Sequence, residues 1–265
     1  MTPGRRALLL GMLWWLPLVA RAEVPTVAAA SSLQFAMPEL TDAFRAETGL
    51  SVRLNYGASG NFRRQIAEGA PFDLFLSADE ISVLALHDEG RTEDEGVVYA
   101  LGGLAWLQGA GRDDLPHDED PLAGVREAIA TYEAGEGRPR LALANPEHAP
   151  YGVAAHQVLE HAGLWQDSEP LRVLGENVSQ AARFALAGES RGGLVALSLV
   201  LAPTIAERGE YVPIPEAWHA PLVQRMVLVE GAGETARAFY AWLQQDEAQE
   251  VLAAYGFRRP DREAH

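Results

Sequence analysis

A chain of 265 residues with 48% hydrophobic residues, a formal net charge of −16 and no cysteine has room for one large domain or two lobes. Its acidity argues against nucleic acid or an anionic membrane as partner. Without cysteine there is no disulfide scaffold, no thiol catalysis and no cysteine-held metal, so an apolar core has to hold the fold together.

Arg5 and Arg6 precede an apolar stretch from Ala7 to about Leu18, and Ala20-Arg21-Ala22 follows. A basic start, a short apolar run and a small-residue site predict a cleavable secretory signal over residues 1–22; a retained signal anchor is the other reading. Cleavage leaves 243 residues and removes three arginines and no acid, taking the charge from −16 to −19. An exported, periplasmic protein is expected.

Residues 24–30 form a short apolar run. Leu33, Met37, Leu40 and Phe44 recur at helical spacing before Gly49, and Leu50, Val52, Leu54 and Tyr56 alternate as in a strand. Phe62 and Ile66 mark a short helix ending near Gly69, and 73–78 read as a buried strand. The acidic stretch around Asp113–Asp120 is expected to be a solvated loop. Beyond it the pattern predicts helices at 125–134, 153–162 and 179–188 and strands at 141–145, 171–175 and 193–201. A strand at 222–230 and helices at 233–244 and 247–254 close the chain, with Gly256 as the last stop. Alternating strands and helices imply an α/β fold with largely parallel sheets. The expected division is lobe 1 over 23–101, lobe 2 over 102–220, and a return strand and helices over 221–265 that complete lobe 1. Segments 98–107 and 217–230 are the candidate crossings.

Open α/β sheets bind ligands at the carboxyl ends of their strands, where helix N-termini point. Four such loops have the same character: Ser31-Ser32, Gly57-Ala58-Ser59-Gly60-Asn61, the Asn145-to-Gly152 segment containing Pro150-Tyr151, and Glu176-Asn177-Val178-Ser179. Each presents free N–H groups and the positive end of a helix dipole, two add serine hydroxyls, and glycine permits close approach. Converging in one cleft, they would surround a small anion with neutral donors, each worth about 1.5–3 kcal/mol. Taken singly, Ser31, Ser32 and Ser59 read equally as helix N-caps.

The segments Ala29-Ala30-Ser31-Ser32-Leu33, Tyr56-Gly57-Ala58-Ser59-Gly60, Gln65-Ile66, Gly69-to-Ala78, Asn145-to-Gly152 and Ala254-Tyr255-Gly256-Phe257 together resemble the periplasmic molybdate-binding proteins of ABC transporters. The resemblance runs from about Thr26 to Phe257. It implies a type II periplasmic binding protein with molybdate or tungstate between two lobes, an inner-membrane permease as partner, a monomer, no cofactor and no free metal cation. Carried over, Ser32 and Ser59 donate hydroxyls and backbone N–H groups, Tyr151 and Val178 donate backbone N–H groups, and Ser31 is an extra donor. One departure stands out. Many members reach the ligand with a tyrosine hydroxyl from the strand at 193–201, and the matching residue here is Ala196. By strand alternation Ser198 is expected to point the same way.

A hydrolase using Ser59 is the enzyme alternative, but the G-x-S-x-G pattern would need glycine where Asn61 stands. His148 has no carboxylate partner at a set spacing, and His156 and His161, five residues apart, lie on different helix faces. Sulphate and phosphate are the rival ligands. Phosphate carries a proton near neutral pH and favours a carboxylate acceptor, for which Glu176 is the one candidate beside the four loops. An organic solute would want aromatic walls, with Tyr56 and Tyr151 as candidates, and a fixed charge pair.

Overall fold

The computed structural model describes residues 24–111 and 115–260, so the signal reading of residues 1–22 and part of the acidic loop lie outside the described residues. The chain begins with β1 (Thr26–Ala30), α1 (Ala36–Thr48), β2 (Arg53–Gly57), α2 (Ser59–Ala67), β3 (Leu74–Leu76), α3 (Ile81–Asp88) and β4 (Val97–Gly102). It continues with β5 (Leu104–Gly109), α4 (Ala123–Glu133), β6 (Arg140–Ala144), α5 (Pro150–His161), β7 (Arg172–Gly175) and α6 (Val178–Ala185). Then come β8 (Ser190–Ala196), α7 (Leu197–Val200), α8 (Pro203–Ala206) and β9 (Gly209–Pro213). The last elements are β10 (Leu222–Leu228), α9 (Glu234–Trp242) and α10 (Asp246–Ala254).

Two five-stranded sheets result, in the orders β2-β1-β3-β10-β4 and β7-β6-β8-β5-β9. The expectation of two helix-flanked α/β lobes holds, with a refinement: each sheet is mixed. β2, β1 and β3 run parallel while β10 is antiparallel to β3 and β4. In the second sheet β7, β6 and β8 run parallel and β5 is antiparallel to β8 and β9. The chain passes from one sheet to the other at Gly103 and returns between Pro213 and Leu222.

The first sheet is packed by two buried clusters, and the core of the second extends across to Ala30, Ala58 and Ala78 of the first. In the first, Met37, Leu40 and Phe44 of α1 are fully buried, as their helical spacing dictates. Phe44 packs on Phe239 at 4.9 Å and Trp242 at 5.8 Å between ring centroids, so α9 seals the same face. Gly49 ends α1 with φ of 72°, a left-handed C-terminal stop. In the second, the Trp106 ring lies directly on glycine backbone. A Cβ at Gly124 or Gly192 would come within 2.7 or 2.3 Å of it.

The run 193–201 is not one strand. β8 stops at Ala196 and a short helix takes Leu197–Val200. All of these residues but Leu197 and Leu201 are buried, so the uniform apolarity that read as strand is satisfied equally by a buried helical turn. Strand alternation therefore does not govern Ser198. Strand β9 and helices α3 and α8, none of them foreseen, complete the architecture. Among the described residues no helix is long and apolar enough to cross a membrane.

Helix α5 is pinned at its start. A Cβ on Gly152 would lie 2.4 Å from the Ala144 carbonyl oxygen and 2.8 Å from backbone atoms of Asn145 and Pro146. Gly152→Ala is therefore expected to lower stability by about 1–3 kcal/mol, read as a reduced urea midpoint; an unchanged midpoint would show that the helix start can shift freely.

Candidate functional site

The carboxyl ends of β1, β2, β6 and β7 face one another across the gap between the sheets. A cleft of about 190 Å³, its open mouth included, lies there. It is lined by Ser31 and Ser32 after β1, Gly57 to Ser59 after β2, Ala149 to Tyr151 before and within α5, and Val178 at the head of α6. All five residues picked out in the sequence thus come to one place. Ala78, in the loop after β3, lines it as well, a role that the strand pattern of 73–78 does not mark. No lining residue carries a charge.

The serines are not caps. Neither the 3₁₀ turn at Ser31–Leu33 nor α2 has a side-chain cap, and α2 starts from Ala58. Ser59 Oγ accepts a hydrogen bond from the Ala78 N–H at 2.9 Å, and Ser31 Oγ accepts one from the Ser179 N–H at 3.4 Å. Ser32 Oγ is buried and makes no hydrogen bond. Each hydroxyl keeps its own hydrogen to donate. Among the described residues, no acceptor is found for the backbone N–H groups of Ser32, Ser59, Tyr151 or Val178, whereas neighbouring N–H groups are used. Gly60 N–H goes to His148 O, Gly152 N–H to Ala149 O, and Gln180 N–H to the Asn177 side chain that caps α6. A helix start leaves donors unmatched, and here the unmatched ones belong to cleft residues.

The two sheets are tied together around this cleft. Ser179 Oγ donates to Ser31 O at 2.7 Å, Ser198 Oγ donates to Ser32 O at 2.8 Å, and Gly60 N–H donates to His148 O at 2.9 Å. Ser198 thus supports the Ser32 loop from helix α7 and does not line the cleft. Ala196 is fully buried with no polar group to offer.

Tyr151 contributes more than a backbone donor. Its phenol is buried beside Gly102, where a Cβ would lie 2.4 Å from Oη, and it accepts a hydrogen bond from Gln224 Nε2 at 3.0 Å. Burial raises its pKa far beyond the ordinary tyrosine value, against an opposing influence of the Ser32, Gln224 and Ser198 side chains. Tyr99, which donates to Gln224 Oε1 at 2.8 Å, is pushed well up by burial and by Tyr151. Gln224 and Tyr99 were not singled out in the sequence. The available signal was a glutamine on the inward, alternate face of the 222–230 strand, since a buried amide requires partners.

His148 does find a carboxylate, brought by the fold rather than by spacing. Its Nε2 lies 3.4 Å from Glu176 Oε2 and 3.0 Å from the Glu176 carbonyl. Glu176 is 72% exposed and neither it nor Tyr56 lines the cleft, so no acceptor carboxylate and only one aromatic residue reach it. Among the described residues no cluster of three histidine or acidic side chains could hold a metal ion.

Two mixed α/β lobes, joined by two crossings and closed over a small donor-lined cleft, define a two-lobed binding protein. A family model described as bacterial extracellular solute-binding protein matches residues 25–258, and the chain belongs to that family. It is 33% identical to the molybdate-binding protein ModA of Rhodobacter capsulatus, over 96% of this chain and 95% of that one. It is 30% identical to the molybdate-binding protein ModA of Escherichia coli K12, over 88% of each chain. The solved periplasmic molybdate-binding protein of Azotobacter vinelandii superposes with a TM-score of 0.78 at 30% identity, covering 90% of this chain and all of that one.

A Cβ on Gly60 would sit 2.8 Å from His148 O and 3.0 Å from its Cα, both across the gap. Within α2 alanine is favoured over glycine, so Gly60→Ala is expected to keep the first lobe stable and hold the lobes apart. Spin or dye labels on cysteines introduced one per lobe would report a longer distance; an unchanged distance would show that this contact does not limit closure. Folding also keeps Tyr99 and Tyr151 protonated to higher pH than the unfolded chain does. Their contribution is complete below the unfolded value of about 10 and is lost as pH rises from there through the raised folded values. Denaturation between pH 9 and 11 should show a falling stability, less steep in Tyr99→Phe.

Proposed function

We propose that the mature chain is the substrate-binding component of an ABC importer that carries molybdate, and tungstate with it, to an inner-membrane permease. The observation that carries this reading is the set of four unmatched backbone N–H groups, at Ser32, Ser59, Tyr151 and Val178, around one uncharged cleft. A small anion supplies the acceptors these donors lack, and each such bond to a charged oxygen contributes about 1.5–3 kcal/mol. Ser32 and Ser59 add hydroxyl donors, and Ser31 is the extra one. Molybdate-binding proteins at 30–33% identity over nearly the whole chain support the choice of ion. Binding proceeds by capture on one lobe's donors and hinge closure of the other. The lobes of the proposal are 23–101 with 221–265, and 102–220, and the protein acts as a periplasmic monomer without catalysis or cofactor.

Cleft size and chemistry weigh on the alternatives. The cleft is narrow and has a single aromatic lining residue and no charged one, whereas an organic ligand asks for a roomy pocket with apolar and aromatic walls. The absence of a lining carboxylate disfavours protonated phosphate. A nucleophilic role for Ser59 would need a base on its hydroxyl hydrogen, and no histidine, carboxylate or amine lines the cleft to supply one.

Calorimetric titration of the mature protein with molybdate, alone and against excess sulphate or phosphate, tests the reading. One-to-one binding that survives both competitors is expected. No heat with molybdate, or full displacement by sulphate or phosphate, would overturn the choice of ion.

A further inference from the structure

A second cavity lies where the chain crosses between the sheets, and it shares no lining residue with the oxyanion cleft. It measures about 440 Å³, its open mouth included. Leu101 and Gly102 line it from the first crossing, Glu216, His219, Pro221 and Leu222 from the second, and Arg258 from the tail behind α10. The tail is bound to the first crossing by two backbone hydrogen bonds, Leu101 N–H to Arg258 O at 2.8 Å and Arg258 N–H to Leu101 O at 2.9 Å. The second crossing is held to α5, where Ala220 N–H donates to Gln157 Oε1 at 2.9 Å and Trp218 stacks on His161. The exposed Arg258–Glu216 ion pair, at 2.8 Å, joins the tail to the second crossing. Hinge motion of the lobes displaces these parts relative to one another.

The polar groups of the cavity are incompletely matched. His219 is 9% exposed, and its Nδ1 lies 2.7 Å from Ala220 O. A carbonyl only accepts, so Nδ1 carries the ring hydrogen and Nε2 of the neutral imidazole is an acceptor. Nε2 is buried and has no partner, which is the exception for a buried polar atom. Arg258 directs Nη2 to Glu216 and has further N–H groups to offer an anion. A buried acceptor, an exposed cation and the apolar surface of Leu101, Pro221 and Leu222 together match a small organic acid that carries a hydroxyl group.

We propose that this cavity is a second ligand site, for a short hydroxycarboxylic acid, placed where its occupant biases the hinge. The hydroxyl donates to His219 Nε2, the carboxylate pairs with Arg258, and the carbon chain lies on Leu101, Pro221 and Leu222. The cavity belongs to the closed arrangement of the lobes, so an occupant favours closure and tightens binding in the oxyanion cleft. The oxyanion tightens binding of the acid by the same factor. Gly102 connects the two sites: it lines the cavity, and a Cβ there would come within 2.4 Å of Oη of Tyr151, a lining residue of the cleft. The coupling, unlike the site itself, rests on the oxyanion reading above.

The probe is 3-hydroxybutyrate, with butyrate, which lacks the hydroxyl, as its control. Mature protein carrying ¹⁵N-labelled histidine is titrated with each at pH 8, above the ordinary imidazole range. His219→Phe keeps a ring and removes the acceptor, and the resonance lost in it identifies His219 Nε2. The expected result is a saturable shift of that resonance, with butyrate binding about tenfold more weakly than 3-hydroxybutyrate. His219→Phe should lose that preference. Arg258→Gln, an exposed change that serves if the first variant does not fold, should weaken binding of both acids. Calorimetry in saturating 3-hydroxybutyrate should give a molybdate affinity at least about fivefold higher. An unmoved His219 resonance, equal binding of butyrate, or a molybdate affinity unchanged at saturation would each overturn the proposal. Failure to bind molybdate with or without the acid would instead overturn the oxyanion reading, while the His219 resonance still decides the second site.

Discussion

A helix begins with N–H groups that its own geometry cannot satisfy, and this site is built on that constraint. In a strand–loop–helix unit those groups emerge at the carboxyl edge of the sheet, so placing the edges of two sheets face to face brings several such starts to one point. The result is a region of positive potential made without any cationic side chain, inside a chain whose formal charge is −16. A lysine or arginine there would bind anions more strongly but less selectively, and would be drawn to the protein's own acids. Oriented amides have no such mobility and no alternative partner.

Holding the two edges together requires direct contact between backbones. Gly60 lies against the main chain of His148, and Ser179 and Ser198 bond the carbonyls of Ser31 and Ser32. These bonds use the acceptor groups of the serine loop while leaving its donors free. The closing contacts and the ligand contacts therefore share residues without competing for the same atoms. His148 adds a link between the α5 and α6 loops through Glu176, on the outer side of the cleft.

Much of this was legible in the sequence because it depends on local rules. Helical spacing of Met37, Leu40 and Phe44, the stop at Gly49, and serine or Pro-Tyr-Gly at helix starts each follow from neighbouring residues alone. They suffice to place Ser31, Ser32, Ser59, Tyr151 and Val178 at strand ends. What was not legible depends on tertiary context. The break between Ala196 and Leu197 occurs within an unbroken apolar run, where neither period announces itself, so the helical setting of Ser198 was not legible. The pairing of His148 with Glu176 spans 28 residues and that of Tyr99 with Gln224 spans 125, beyond any spacing rule. Ala78 enters the cleft by the position of β3 in the sheet, which no side chain of its own would reveal.

The first sheet is assembled from both ends of the chain, and this bears on the order of folding. Strand β10 separates β3 from β4, and Phe239 and Trp242 complete the packing around Phe44. The sheet from β5 to β9, by contrast, is drawn from one continuous stretch. As the chain emerges from the amino end, β1 to β4 have neither their central antiparallel neighbour nor their aromatic cover, and stay uncommitted until the last fifth of the sequence arrives. The second sheet can form meanwhile without waiting. A nascent chain with this connectivity postpones its final compaction until its synthesis is nearly complete.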